Sequence, residues 1–135
     1  MPDLIRLSTE GSTEPPANNM SSKVIRRGEL LFVGWLDAPR TRKDPLRLRL
    51  GTCDVTTGEL QRVMTLGEGI DNHCGAAIVL DGNDRLHALL GAHHDFLYRW
   101  SDDPVDAVSW SAPDPGGPKR SYPALSVDES GTHGQ

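Results

Sequence analysis

The chain has 135 residues, with 14 lysines and arginines against 19 acidic residues, for a net charge of −5. That sign argues against a general nucleic-acid binder, which needs a basic face for phosphates, and no stretch approaches the roughly 20 apolar residues of a membrane span. The opening residues Met1 to Leu7 lack the apolar core of a secretory signal, so any export signal would have to lie elsewhere in a longer parent protein.

In chain order, Ser8 to Ser22 holds no aromatic residue and almost nothing apolar. Such a segment cannot bury enough surface to offset its ordering entropy, so residues 1–22 are expected to form a flexible leader and residues 23–135 the folded part. Short apolar runs then follow at Glu29–Leu36, Leu46–Val55, Leu60–Leu66, Ala76–Asp81, Arg85–Ala92, Phe96–Ser101 and Tyr122–Asp128. Leu46–Leu50 alternates Leu-Arg-Leu-Arg-Leu, the pattern of a strand with one buried face. Turn residues separate the runs at Thr56-Thr57-Gly58, Gly82-Asn83-Asp84 and Asp102-Asp103-Pro104. Many short strands at close spacing predict an all-β fold. The basic run Arg40-Thr41-Arg42-Lys43 is read as an exposed loop, and Cys53 and Cys74 as free thiols, since they fit neither a disulfide scaffold nor a paired-thiolate zinc motif.

An internal repeat narrows the architecture. Ala77–Asp81, a polar turn and His87 reappear as Ala124–Asp128, a polar turn and His133, at offsets of 47 and 46 residues. A weaker echo sets Gly28–Val33 over Asp84–Leu89. A propeller blade takes roughly 40–50 residues, so the chain is predicted to be a partial β-propeller of two or three antiparallel four-stranded blades. A closed propeller needs at least about four blades. The chain is therefore expected to be an incomplete part of a longer protein and marginally stable by itself.

The chemistry is sought at one hairpin. Antiparallel partners have residue numbers with a constant sum. A three-residue loop at Gly82-Asn83-Asp84 makes that sum 166 and sets His73 opposite His93, and a four-residue loop makes it 167 and sets His73 opposite His94. Only one of the adjacent pair can share the face of His73. Close imidazoles perturb one another near neutrality, which suits a general base beside a carboxylate-neutralising cation. The alternative is that they bond loop backbone at a strand end. Asn72 and Asp71 lie beside His73, and the repeat offset from His73 lands on Arg120, a second cation, followed by Tyr122. Arg99 is either a substrate contact or a solvated strand residue, and Trp35, Trp100 and Trp110 either a sugar-stacking platform or core. His87, which recurs, is read as a structural feature of the blade. A zinc site on His73, His93 and Asp71 ranks below a metal-free one, because the known motif spacings are absent.

The stretch Asp71-Asn72-His73-Cys74-Gly75-Ala76-Ala77, then Asp81, Leu86-His87, Gly91-Ala92-His93-His94, Phe96–Ser101, Pro104, Asp106, Trp110 and Tyr122-Pro123 resembles the bacterial neuraminidase repeat (BNR) propeller family, in the branch that includes ulvan-type polysaccharide lyases. Cys74 and Ala76 stand where that pattern has Gly and Pro, Asp95 stands where a third His is common, and no intact Asp-box is present. The resemblance implies β-elimination on a uronic-acid polysaccharide with no cofactor. His73 would be the base and His94 (or His93) the carboxylate-neutralising partner. Asn72, Arg99, Arg120 and Tyr122 are the substrate-binding candidates. The resemblance also implies that the catalytic tyrosine and arginine of the lyases would come from further blades, so that the 135 residues alone would be inactive. The partners expected are a polysaccharide or oligosaccharide and those further blades, with neither nucleic acid nor membrane. The competing readings are a non-catalytic glycan-binding or scaffold propeller and a sialidase-like glycoside hydrolase, which needs two carboxylates.

Overall fold

The computed structural model describes residues 4–13, 15–16, 23–69, 74–91, 96–101, 110–117, 125–127 and 133–134. These form β1 (Val24–Arg27), β2 (Leu30–Asp37), β3 (Leu46–Asp54), β4 (Glu59–Gly69), β5 (Ala76–Leu80), β6 (Leu86–Leu90), β7 (Phe96–Trp100), β8 (Asp114–Gly117), β9 (Ser126–Val127) and β10 (His133–Gly134). The fold is all-β. β1-β2-β3-β4 is one antiparallel meander, β5-β6-β7-β8 a second, and β9–β10 a separate antiparallel pair. Two successive four-stranded meanders and a following hairpin are the arrangement of propeller blades.

The repeat read from the sequence corresponds to this order. Gly28 and Asp84, matched by the weaker echo, both have left-handed backbone, with φ of 57° and 61°, at the turns that open β2 and β6. Glycine adopts that region freely, and aspartate is among the few other residues that tolerate it. His87 faces Val79 and His133 faces Val127 across their hairpins. Leu80, however, faces Leu86, so the 47-residue offset that carries Leu80 to Val127 carries Leu86, and not His87, to His133.

The two meanders pack through a shared core. Phe32, Leu36, Leu48, Leu50 and Leu66 of the first lie against Ile78, Leu86, Ala88 and Leu90 of the second. In β3, Leu46, Leu48 and Leu50 are buried while Arg47 and Arg49 are only partly so, as the alternation predicts. Every residue of β6 is buried, since its other face carries a second cluster of Ala77, Leu89 and Phe96 with Tyr98 and Leu125 beside it. Full burial of such side chains stabilises by about 1.5–3 kcal/mol each. The second sheet is thus covered on both faces, as an inner blade is.

Two strands differ from the sequence expectation. β1 (VIRR) is short and half polar, and β8 (DPGG) holds a proline and two glycines, so neither carries a strand signal. Both lie at the edge of a sheet, where missing ladder bonds are tolerated.

The described part of the N-terminal segment lies along the first sheet. β1 pairs with Leu30–Val33 alone, which leaves the rest of β2 with unpaired backbone groups. The N-terminal segment fills that edge: Ser12 N–H donates to Leu36 O at 3.1 Å, Leu36 N–H to Pro15 O at 2.7 Å and Ala38 N–H to Glu10 O at 2.6 Å. Main-chain bonds need no apolar side chains, which is why the composition gave no sign of them. Beneath this segment the Asp37 carboxylate, 2% exposed, accepts from Trp35 Nε1 at 2.8 Å and Ser8 Oγ at 2.5 Å. Arg49 Nε stands 3.2 Å from its other oxygen, an ion pair without hydrogen-bond alignment.

Candidate functional site

The β5–β6 hairpin turns through three residues. Asp81 N–H donates to Arg85 O at 2.9 Å, and Asp84 N–H to Asp81 O at 3.1 Å. The Asp81 carboxylate reinforces the turn by accepting from Asn83 N–H at 2.8 Å and Arg85 N–H at 3.0 Å. Left-handed Asp84 closes the loop, the usual build of a three-residue hairpin connection. Ala76 consequently faces Leu90 and Leu80 faces Leu86, the register whose residue numbers sum to 166. Cys74 and Gly91 flank the open mouth. A Cβ added to Gly69 would lie 2.7 Å from Cys74 Cβ, so the end of β4 abuts that mouth. His73, His93, His94, Asn72, Asp71, Asp95, Arg120 and Tyr122 all lie outside the described residues.

Arg99 is the one site candidate among the described residues, and its guanidinium faces inward. Nη1 donates to Leu66 O at 2.6 Å and Nε to Ser111 O at 3.0 Å. Leu66 is one of two residues of β4, with Gln61, that have no partner on β3, so Arg99 ties the irregular edge of one sheet to the other. Burial pulls its pKa below the ordinary guanidinium value. Arg99 thus bridges the two sheets, a contact that neither reading of it from the sequence contained.

At the turn end of the hairpin lies a polar chain that sequence reading had only in part. His87, 7% exposed, sits between Asp81 and Tyr98. Its Nε2 is 2.7 Å from Asp81 Oδ2, and its Nδ1 meets the Tyr98 hydroxyl. An ionised carboxylate can only accept, so Nε2 donates to it, while Nδ1 accepts from the phenol in the neutral ring and donates to it in the charged one. Burial tends to raise the Asp81 pKa, but the His87 bond, the two backbone N–H bonds and the charge interaction with His87 bring it below the usual carboxylate value. Burial, then the charges of Asp81 and Asp114, push Tyr98 up and keep its proton. The register held the missing clue. His87 faces Trp100 and Leu89 faces Tyr98, so Tyr98 is the diagonal neighbour of His87 on the same face.

This chain of bonds borders a hollow of about 460 Å³, lined by Asp81, Asn83, Arg85, His87, Tyr98 and Trp100. The Tyr98 and Trp100 rings are 5.4 Å apart and tilted by 36°. Trp35 is core, lying over Gly51, and Trp110 packs against the inter-sheet cluster. The three tryptophans therefore form no common platform. Cys53 and Cys74 are buried free thiols, and burial raises the Cys53 pKa. Arg40 to Lys43 form an exposed loop, as expected. Among the described residues no group of three or more His, Cys, Asp or Glu is arranged to hold a metal ion.

No family model matches the sequence, and no curated protein matches it. Among solved structures, the chain is similar to a polysaccharide lyase PL25 ulvan lyase bound to -[GlcA(1-4)Rha3S]-, with a TM-score of 0.73 and 15% identity over 90% of this chain and 32% of that one. A second structure of a PL25 ulvan lyase gives a TM-score of 0.72 and 16% identity at the same coverage. The chain thus spans about a third of the length of either. At this identity the likeness concerns the fold, and it agrees with the blade order built above from strand pairing.

Proposed function

We propose that the chain is part of a BNR-type propeller protein that acts on a uronic-acid polysaccharide by β-elimination. The observation that carries this reading is the β5–β6 register. Continued three pairs past Ala76 and Leu90, it would set position 73 against position 93, with position 94 turned to the other face. In this reading His73 takes the proton α to the uronate carboxylate and His93, as a cation, neutralises that carboxylate. A carbon–carbon double bond forms as the glycosidic carbon–oxygen bond breaks, and an acid from elsewhere in the longer protein protonates the leaving oxygen. His94 is the alternative neutralising partner in this reading, and Asn72, Arg99, Arg120 and Tyr122 are its candidates for holding the sugar. Support also comes from the fold, which is shared with lyases of PL25, one of them bound to a glucuronate-containing saccharide.

The experiment is to incubate the longer parent protein with uronate polymers and follow the ultraviolet absorbance of the unsaturated product. Product that forms with the parent and is lost in His73→Ala supports the reading. Unchanged turnover in that variant removes His73 as the base. A glycan-binding propeller without catalysis is the second reading, favoured by His87, a histidine of the same hairpin fully engaged by Asp81 and Tyr98. It predicts retained glycan binding with no unsaturated product, while reducing ends formed without that product would mark hydrolysis.

A further inference from the structure

The turn between β2 and β3 carries Arg40, Arg42 and Lys43 within four residues, all exposed. Among the described residues their side chains have no hydrogen-bond or ion-pair partner. The acid of the turn, Asp44, is bound into its frame: its Oδ2 accepts from Thr41 N–H at 3.1 Å, while its own N–H donates to Thr41 O at 3.2 Å. Lys43 N–H donates to Thr41 Oγ1 at 3.2 Å. The turn is therefore a fixed loop presenting three like charges, in a chain whose net charge is −5. Like charges this close repel one another, and although Asp44 and Glu68 border the same hollow as Arg40, none of the three cations has an ion-pair partner among the described residues.

Position gives the cluster a use. The turn leads into Leu46, which pairs with Gly69 at the end of β4. Gly69 abuts Cys74, and Cys74 precedes Ala76, which faces Leu90 at the hairpin mouth. Lys23 Nζ, donating to Ala76 O at 2.8 Å, ties the start of β1 to the same end. The basic turn and the mouth thus open on one side of the molecule. Two cations of the opposite end are engaged. Arg27 is paired with Asp84 at 2.9 Å, and Arg26 Nε donates to Gly28 O at 2.8 Å.

We propose that the β2–β3 turn is a docking strip for an anionic polysaccharide, its carboxylates or sulfates paired with Arg40, Arg42 and Lys43, along which the polymer extends from the hairpin mouth. The choice of a polysaccharide rests on the function proposed above. The strip itself rests on the unpaired cations and their place in the fold. Its chemistry selects polymers with closely repeated negative charge and gives neutral glycans no hold.

The test measures binding of the 135-residue chain to polygalacturonate, dextran sulfate, neutral dextran and a DNA duplex at low and high salt. Charged polysaccharides should bind at low salt and release as salt rises, and neutral dextran should not bind. The variant Arg40→Gln/Arg42→Gln/Lys43→Gln should bind about tenfold more weakly, as expected for the loss of three exposed charge pairs. Arg26→Gln/Arg85→Gln, at the far end, should stay within about twofold of wild type, a change too small for lost ion pairing. Arg40→Lys/Arg42→Lys should keep the binding. A stronger response to dextran sulfate than to polygalacturonate would assign the strip to sulfate, and the reverse order to carboxylate. Undiminished binding by the triple variant at an unchanged thermal midpoint would overturn the proposal, and so would duplex DNA binding tighter than both polymers. Elimination is not read in this assay, so its loss in His73→Ala with binding intact bears only on the catalytic reading.

Discussion

Replacing Arg99 by methionine keeps the length and most of the volume of the side chain but removes both donors that join the sheets. Leu66 O, at 2.6 Å, and Ser111 O, at 3.0 Å, then lose a charged partner in a partly buried setting. Hydrogen bonds to charged groups are worth about 1.5–3 kcal/mol each, and an acceptor left unsatisfied pays its desolvation in full. Against this stands the relief of no longer burying a guanidinium, whose lowered pKa marks that cost. The net loss should be about 2–4 kcal/mol. For a domain of this size about 4 °C accompanies each kcal/mol, so the thermal midpoint should fall by roughly 8–16 °C. Circular dichroism melts at neutral pH read this directly, and Arg99→Lys should recover part of the loss, because a single ammonium can serve only one of the two carbonyls well. A midpoint within about 2 °C of wild type, coupled with lost glycan binding, would refute the bridge and leave Arg99 to the substrate contacts.

Two further outcomes follow from single contacts. Asp81→Asn should cost about 1–2 kcal/mol by removing the charge that His87 and two backbone N–H groups meet. Because the folded pKa of Asp81 is depressed, its contribution is present above the unfolded carboxylate value of 3.8 and fades as pH falls through the lower folded value. Acid titrations followed by near-ultraviolet circular dichroism should show wild type losing stability across that window and Asp81→Asn losing less. Gly51→Ala would set a Cβ 2.7 Å from Trp35 Cζ3, and the displaced indole should cost about 1–3 kcal/mol in a denaturant titration.

Much of the fold could be read in advance because it depends on local chemistry. The alternation of Leu46 to Leu50 specified a half-buried strand, and Gly82-Asn83-Asp84 specified the turn that sets the β5–β6 register. The repeat gave the blade order because each blade solves the same packing problem with similar residues. What escaped depends on distant partners. The leader joins the sheet by main-chain bonds that composition does not encode. β8 is held by its neighbour β7 despite a proline and two glycines. The inward turn of Arg99 follows from a bulge at Leu66, 33 residues away, which no local pattern announces. At the candidate site the sequence marked His87 as structural but could not supply Asp81 and Tyr98 as its partners, since that needs the pairing of β6 with β7.

The central claim is that the hairpin brings positions 73 and 93 together at its mouth. With Cys53 and Cys74 replaced by alanine, spin labels attached through His73→Cys/His93→Cys should show strong dipolar broadening, because directly opposed residues on one face have Cβ atoms roughly 4.5–5.5 Å apart. His73→Cys/His94→Cys should broaden far less, its labels lying on opposite faces. Stronger coupling in the 73/94 pair, or none in either, would contradict the account.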